Sequence, residues 1–535
     1  MTSEPESLHC DGALIIGAGV AGLFAALKLA PAPCMVISPE PLGRGASSAW
    51  AQGGVAAALD PADSAEAHAA DTVRAGAGLV DPAVAAAATA EAPARVEDLA
   101  RLGAPFARAP DGAYLLSKEA AHSAARVARF AEGDGAGRAI MAALTAAVAR
   151  TPSIRILEGV LIEALTLQEA RAEASPPSRV IGAWGRRIDS GAPVRLVAEA
   201  TLLAAGGLAG LYAQTTNPGR IRGQALGMAA RAGALIRDAE FVQFHPTAIA
   251  VGGDPAPLAT EALRGEGAVL IDGAGERFML EEHEAAELAP RDVVARAVFR
   301  RARSGDGAFL DTRAAIGAAI DHEFPSVAAA VRAAGLDPLA EPIPVTTAAH
   351  YHMGGVAADL NGRSSLPGLW VCGEAAATGL HGANRLASNG LLESFVFAAR
   401  AAADIAKAAS MRAEAARARA GDGVEETLGA AAQEALTQEL RSVMSRCCGV
   451  ERDRAGLEEG LAEIARLERL GAASISFLNM TAAATIVVAA AWLRDESRGG
   501  HFRRDHPAPD PEQAVSRSLT YAEALAVRAR FDPEA

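Results

Sequence analysis

The chain reads as an α/β protein: a nucleotide-binding sheet domain interrupted by a mixed α+β insertion and followed by a helical C-terminal domain. Three observations predict this. A β-α-β unit with a glycine-rich turn opens the chain at Ala13–Ser38. A second buried-strand signal of the same kind, Gly368–Cys372, lies more than 300 residues later. From about residue 410 the sequence is nearly all helical.

Ala13–Ile16 is a short apolar run, Ala21–Leu29 a helix and Met35–Ser38 a second strand. Ser64–Ala100 is Ala-rich and reads as helical, as does Gly133–Arg150. Arg155–Leu167 and Val180–Arg186 read as strands of a smaller sheet, with Gln168–Ser178 a polar hairpin or loop between them. Leu196–Ala205 returns to the main sheet. Composition shifts near residue 238, and Phe241–His350 mixes short strands, loops and helices. Leu391–Ala409 is a helix. Leu457, Leu461, Ile464 and Leu467 mark one apolar helix face, and Val424–Cys447 reads likewise. The last stretch, polar and Pro-containing, is expected to be extended surface chain. These shifts divide the chain into 1–238, 239–350, 351–409 and 410–535, the first and third forming one nucleotide-binding domain.

At 535 residues and 50% hydrophobic content the chain can bury a large core without disulfide or metal staples. Its formal net charge of −14 argues against a nucleic-acid or anionic-membrane binder. An acidic protein that handles an acidic ligand therefore needs a local pocket of Arg and His. Five cysteines without CxxC spacing suit free thiols in a reducing compartment, and no metal site is expected. The N-terminus lacks the basic and apolar regions of a signal peptide. The apolar run Ala482–Leu493 is shorter than the ~20 residues of a spanning helix. A cytoplasmic protein is expected.

Gly17-Ala18-Gly19-Val20-Ala21-Gly22 is GxGxxG between a strand and a helix. Glycines there permit a tight turn, backbone approach to a pyrophosphate and close helix–strand packing, and the helix N-terminus offers N–H groups to phosphate. This is a Rossmann-like dinucleotide signal. The second strand ends at Ser38 rather than at an acid, with Glu40 nearest. Two features favour FAD over NAD. Ser47-Ser48-Ala49-Trp50-Ala51-Gln52-Gly53-Gly54 is a small-residue loop fit to lie against a flat ring, and GLWVCGE (368–374) brings Glu374 back to the nucleotide domain.

A carboxylate ligand needs a cationic or hydrogen-bonding group, and the planar fork of Arg serves best. Arg385 lies in a segment of small residues. His245 precedes Pro246, and His350 precedes Gly354-Gly355. Thr260 and Glu261 can complete the hydrogen bonds. Arg296, Arg300 and Arg301 follow Arg291 on a helix and read as solvated or ion-paired.

With QFHPT (243–247), TEALRGEG (260–267), GERF (275–278), LAPRDVVARA (288–297), HYHMGG (350–355), HGANRLASNGLLES (381–394) and ESRGGHFRRDHP (496–507) added to the motifs above, the chain resembles the succinate dehydrogenase / fumarate reductase / L-aspartate oxidase flavoprotein family over almost its whole length. The resemblance implies an inserted α+β domain capping the flavin. It implies that His245, Thr260, His350 and Arg385 bind substrate carboxylates, that Arg291 sits over the reacting carbons as a catalytic residue with His245 and Glu119 in the same catalytic set, and that Ser388 reaches flavin or substrate. Gln243 and Glu261 join the substrate set; Gly390 and Leu391 join the cofactor set with Ser38, Ser47, Ser48, Gln52, Gly53, Gly54 and Glu374. HYHMGG holds two histidines, and the family pattern points to His350 rather than His352. Guanidinium is a poor base, so whether Arg291 acts as acid or base stays open beside its electrostatic role.

Within the family, SKEAAHS (117–123) resembles the aspartate oxidase segment R-E-x-x-H-S, which sets Glu119 against a substrate ammonium. Ser47 stands where succinate dehydrogenases carry a His for covalent FAD, so non-covalent FAD is implied. Gly223-Gln224-Ala225 departs from the usual Gly-Asp-Gly near the flavin. The implied reaction is oxidation of L-aspartate to iminoaspartate, with O2 (giving H2O2) or fumarate as acceptor and quinolinate synthase as the next enzyme in NAD biosynthesis. The alternatives are a soluble fumarate reductase or succinate dehydrogenase flavoprotein, a non-catalytic flavin-binding module, and an NAD-linked dehydrogenase.

Overall fold

The computed structural model describes residues 6–168, 179–409 and 428–534. Its central sheet has five parallel strands in the order Leu369–Val371, Ala200–Leu203, Ala13–Ile16, Cys34–Ser38 and Ile154–Glu158. The first four are buried throughout. Parallel strands covered by helices on both faces read as unbroken apolar runs, as ALII and CMVIS do here. Helix Val20–Leu29 packs against helix Asn389–Ala409, with the Phe24 and Phe395 rings 5.1 Å apart edge to face. Two segments hundreds of residues apart thus close one layer.

Three predicted elements divide in the structure. Arg155–Leu167 is two strands broken at Gly159. Ile154–Glu158 completes the central sheet, while Val160–Leu167 joins a four-stranded sheet with Val180–Arg187, Pro193–Val197 and Glu6–His9. Leu196–Ala205 divides at Ala198, its first part in that second sheet and Ala200–Leu203 in the central one. Ser64–Ala100 holds two helices, Ala65–Ala75 capped by Ser64 and Pro82–Arg101 capped by Asp81. Periodicity does not reveal such breaks, because the apolar pattern continues across them. The expected loop at 168–178 lies, apart from Gln168, outside the described residues.

The insertion is built on an antiparallel sheet in the order Val242–Ile249, Ile343–His352, Phe309–Asp311, Val269–Ile271. Helix Arg291–Ser304 packs on it through buried Val294, Ala297 and Val298. Register shifts fall between Gln243 and Phe244 and between His245 and Ala248. Such irregularities bend a strand and re-aim its side chains, and here they bracket His245.

At the C-terminal end, Ala430–Cys447, Arg454–Leu470 and Ile475–Leu493 are helices. Leu457, Leu461, Ile464 and Leu467 are fully buried, as their spacing predicts. Residues 424–427 of the expected first helix lie outside the described residues. Ile475–Leu493 is, at 19 residues, longer than its apolar run suggests; it is long and apolar enough to cross a membrane, and its 18-residue apolar window is 89% buried inside the fold. All five cysteines are free and buried.

The end of the chain is not simply extended. Ser518–Leu519 pairs with Ile236–Arg237, and Tyr521–Arg528 is a helix. Its start is a capping box: Thr520 Oγ1 accepts from the Glu523 amide at 3.2 Å, and Glu523 accepts from the Thr520 amide at 2.7 Å. Arg528 is anchored on Glu468 at 2.7 Å. T520A is expected to cost about 1 kcal/mol locally, read as faster hydrogen exchange over Tyr521–Arg528; unchanged exchange there contradicts this assignment of the cap.

Candidate active site

A cavity of about 1380 Å³ runs from the carboxyl ends of the central strands to the face of the inserted domain, where open α/β sheets bind ligands. At its nucleotide end lie Gly17, Ala18, Gly19, Val20, Ser38 and Glu40. Gly17 has φ +113°, a conformation closed to most side chains. Gly22 does not line the cavity; a Cβ there would lie 1.9 Å from the Gly17 carbonyl oxygen, so its bareness lets helix and turn meet. Ser48 Oγ accepts the Val20 amide at 3.2 Å. Ser38 Oγ is turned to the Glu40 carbonyl at 2.6 Å, and Glu40 pairs with Arg220 at 2.5 Å.

Further along the cavity, Ser47, Gln52, Gly53, Gly54, Glu374, Gly390 and Leu391 form the wall. Gln52 Nε2 donates to the Leu258 carbonyl at 2.9 Å, while its Oε1 is buried without a partner. An orphaned acceptor is costly and suits an N–H of a bound ring. Glu374 accepts the His352 amide at 3.0 Å, and burial pushes its carboxyl up to about 7. Gln224 also lines the cavity, its Oε1 on the Arg222 amide at 3.1 Å. Volume, glycine turn and orphaned acceptor all fit FAD.

At the far end the charged residues converge. Glu119, His245, Thr260, Glu261, Arg291, His350, Arg385 and Ser388 all border the cavity. Arg291, first residue of its helix, is ion-paired with Glu261 and donates to Gln243 Oε1 at 2.9 Å. Gln243 itself stands behind the wall; its Nε2 holds Asn384 Oδ1 and the Arg385 carbonyl, both at 3.0 Å. Glu261 also meets Arg264 at 3.5 Å. Its carboxylate is thus engaged by cations, a place for fixing Arg291 rather than for receiving a substrate carboxylate.

Arg385 differs. Among the described residues it has no carboxylate partner. Its guanidinium lies 4.3 Å from the Tyr351 ring centroid, and its buried Nε has no hydrogen-bond partner. Burial, then the nearby Arg291 charge, brings its pKa down to about 10.

The His245 and His350 rings are 5.0 Å apart. Burial, reinforced by the neighbouring cations, holds both well below the usual histidine range, so both are neutral. His245 Nδ1 accepts the Thr247 amide at 3.2 Å, which leaves the ring proton on Nε2. His350 Nδ1 shares a 2.8 Å hydrogen bond with Thr216. His352 is absent from the cavity wall and is spent on the Ala239 carbonyl at 3.0 Å. Thr260 caps the helix Glu261–Gly265.

Glu119 is buried; its Oε2 accepts from Ser388 Oγ at 2.9 Å. Burial, then the Glu261 charge, raises its carboxyl to about 7. A Cβ on Gly53 would sit 3.1 Å from both Glu119 Oε1 and Ser388 Oγ, so a bare glycine leaves room for this acid beside the loop. Ser388 has φ +61°, rare for a side-chain-bearing residue and typical of functional sites.

Three contributors escaped the sequence reading. Asn217 joins Ser47 Oγ (2.7 Å) to the His350 carbonyl (2.8 Å). Thr216 orients His350, and Tyr351 underlies Arg385. Tyr351 had a signal, being the aromatic between the two histidines of HYHMGG; Thr216 and Asn217 had none, since only the fold brings them there. Arg296, Arg300 and Arg301 are ion-paired with Asp292, Glu451 and Asp272, away from the cavity.

The FAD binding domain family model matches residues 12–391, and the fumarate reductase flavoprotein C-terminal model matches 437–533. The L-aspartate oxidase of Caulobacter vibrioides is 54% identical over 94% of each chain. That of Agrobacterium fabrum is 46% identical over 97% of this chain and 96% of its own. Among solved structures, E. coli quinol fumarate reductase FrdA superposes with a TM-score of 0.85 at 26% identity, covering 95% of this chain and 93% of its own. Mycobacterium smegmatis Sdh1 does so at 0.81 and 28%, covering 96% and 94%. The α/β fold, the large cavity at the glycine turn and these likenesses agree: the chain is an FAD-dependent oxidoreductase of the succinate dehydrogenase and fumarate reductase flavoprotein family, and it belongs to the L-aspartate oxidase branch of that family.

Proposed function

We propose that the chain oxidises L-aspartate to iminoaspartate, with Arg385, His350, His245 and Thr260 holding the two carboxylates and Glu119 holding the amine. The observation that carries this is the pairing of opposite needs in one cavity. Arg385 is a buried cation without a carboxylate partner among the described residues, and Glu119 is a buried acid bordering the same cavity. Succinate would satisfy the first and leave the second without a cation, a costly arrangement. L-Aspartate satisfies both.

Neutral imidazoles, His245 with its Nε2–H as donor and His350 beside it, bind carboxylate without adding to the charge of the arginines. Glu119 Oε2 is occupied by Ser388, so Oε1 faces the ammonium. With its pKa near neutrality, Glu119 can take an ammonium proton and leave the neutral amine. Arg291, fixed by Glu261 and Gln243, orients the reacting carbons and stabilises charge electrostatically. Bound FAD supplies the hydride acceptor for the substrate Cα. The electrons pass to O2, giving H2O2, or to fumarate, which fits the same carboxylate clamp and yields succinate. Iminoaspartate then goes to quinolinate synthase in NAD biosynthesis.

E119Q keeps the size of the side chain and removes its charge. It is expected to lower kcat/KM for L-aspartate about 10–100-fold, since a hydrogen bond to a charged group contributes ~1.5–3 kcal/mol. Fumarate reduction should change less than about threefold; an equal fall in both would refute the role of Glu119. Because Glu119 titrates near 7 and binds ammonium as a carboxylate, KM for L-aspartate should rise as pH falls through that range, and E119Q should lack this acid limb. We further assign non-covalent FAD, with Ser47 engaged on Asn217; acid precipitation should release all flavin, and a yellow pellet would contradict it.

A further inference from the structure

Behind Glu119 and Ser388 lies a buried polar cluster that no role above uses. Helix Ala65–Ala75 buries His68, Asp71 and Thr72, which share one face. Asp71 Oδ2 accepts from the amide and hydroxyl of Ser123, each at 2.7 Å. Asp71 and Asp63 together grip the fully buried Arg126, Asp63 through Nε at 2.8 Å and Nη2 at 2.9 Å. Arg126 Nη1 then donates to His122 Nδ1 at 3.2 Å. A guanidinium has no acceptor to offer, so the His122 proton sits on Nε2, which donates to the Ala387 carbonyl at 3.0 Å. Burial, with the Arg126 charge, holds His122 at about 4, consistent with this neutral tautomer.

Both ends of this connection meet left-handed backbone. Ala121, at φ +64°, adjoins His122; Ser388, at φ +61°, follows Ala387. The His122 amide also donates to the Glu119 carbonyl at 3.2 Å. On the other side of Ser388, Asn389 is held by His68 Nε2 and by Thr72 Oγ1, each at 2.9 Å. Left-handed conformations persist only where the surroundings impose them. Arg385 is anchored separately, by Gln243 on its carbonyl and Tyr351 under its guanidinium. A disturbance at Ala387 therefore falls on the Ser388–Glu119 contact rather than on the carboxylate clamp.

We propose that His122 is a positioning residue for the ammonium subsite: by holding the Ala387 carbonyl it keeps Ser388 Oγ on Glu119, and so sets the preference for an amino dicarboxylate over a dicarboxylate without the amine. This rests on the reading of Glu119 given above. The test compares two polar variants of the holoenzyme. H122N keeps an acceptor near Arg126 but is too short to reach Ala387; H122Q carries an N–H about as far as the imidazole does. H122N is expected to lower kcat/KM for L-aspartate about 10–30-fold and fumarate reduction less than about threefold, and H122Q to recover to within about threefold of wild type. Equal losses on both substrates, or H122Q as poor as H122N, overturn the proposal. If H122N does not retain flavin, H68N, which releases Asn389 on the other side of Ser388, takes its place; a selective loss supports the proposal and a shared loss overturns it. A selective E119Q beside a non-selective H122N refutes this inference alone, whereas a non-selective E119Q refutes the underlying reading.

Discussion

A buried guanidinium with no carboxylate partner among the described residues organises this site. Arg385 is taken out of water, stacked on Tyr351 and left with an orphaned Nε. Removing a cation from water costs several kcal/mol unless a partner arrives. The neighbouring cations do not help: Arg291 is already neutralised by Glu261, and both histidines are uncharged. The cavity is therefore short of negative charge at one point, and an anionic ligand relieves it. Two neutral imidazoles, His245 and His350, stand beside that point without adding repulsion. In the proposed reading, affinity for a carboxylate follows from what the fold withholds as much as from what it supplies.

The fold delivers these groups from distant stretches of chain. Glu119 comes from the segment before the strand Val127–Ala128, His245 and His350 from two paired strands, Arg291 from a helix start and Arg385 from the turn before a helix. Paired strands in fixed register put the two imidazoles in contact, and the irregularities around His245 aim it. The parallel sheet presents its carboxyl ends and the glycine turn to the same cavity. The glycine-rich and charged ends of the cavity thereby meet at Gly53, where a Cβ would lie 3.1 Å from both Glu119 and Ser388.

Much of this was legible in the sequence, for physical reasons that differ by residue. The glycine turn could be read because helix, strand and phosphate all demand small residues at fixed spacing. Arg291, Arg385, His245 and His350 could be read because motif order, together with the chemistry of a dicarboxylate, narrows the choice. Gln243 and Glu261 were read as substrate ligands; the structure makes Gln243 a support for Arg291 and Arg385 and engages Glu261 with arginines, since side-chain direction is not written in the pattern. The division of Arg155–Leu167 between two sheets was hidden because both halves are equally apolar. The terminal helix was hidden because its capping box is four residues among polar chain. Asn217 and Thr216 act through contacts across the fold and leave no local trace.

The most direct measurement of the central claim is anaerobic mixing of the holoenzyme with L-aspartate and, separately, L-asparagine, following flavin absorbance. Full bleaching is expected with L-aspartate and little with L-asparagine, which has the same amine and lacks the second carboxylate. Equal bleaching by both, or none by L-aspartate, would contradict it.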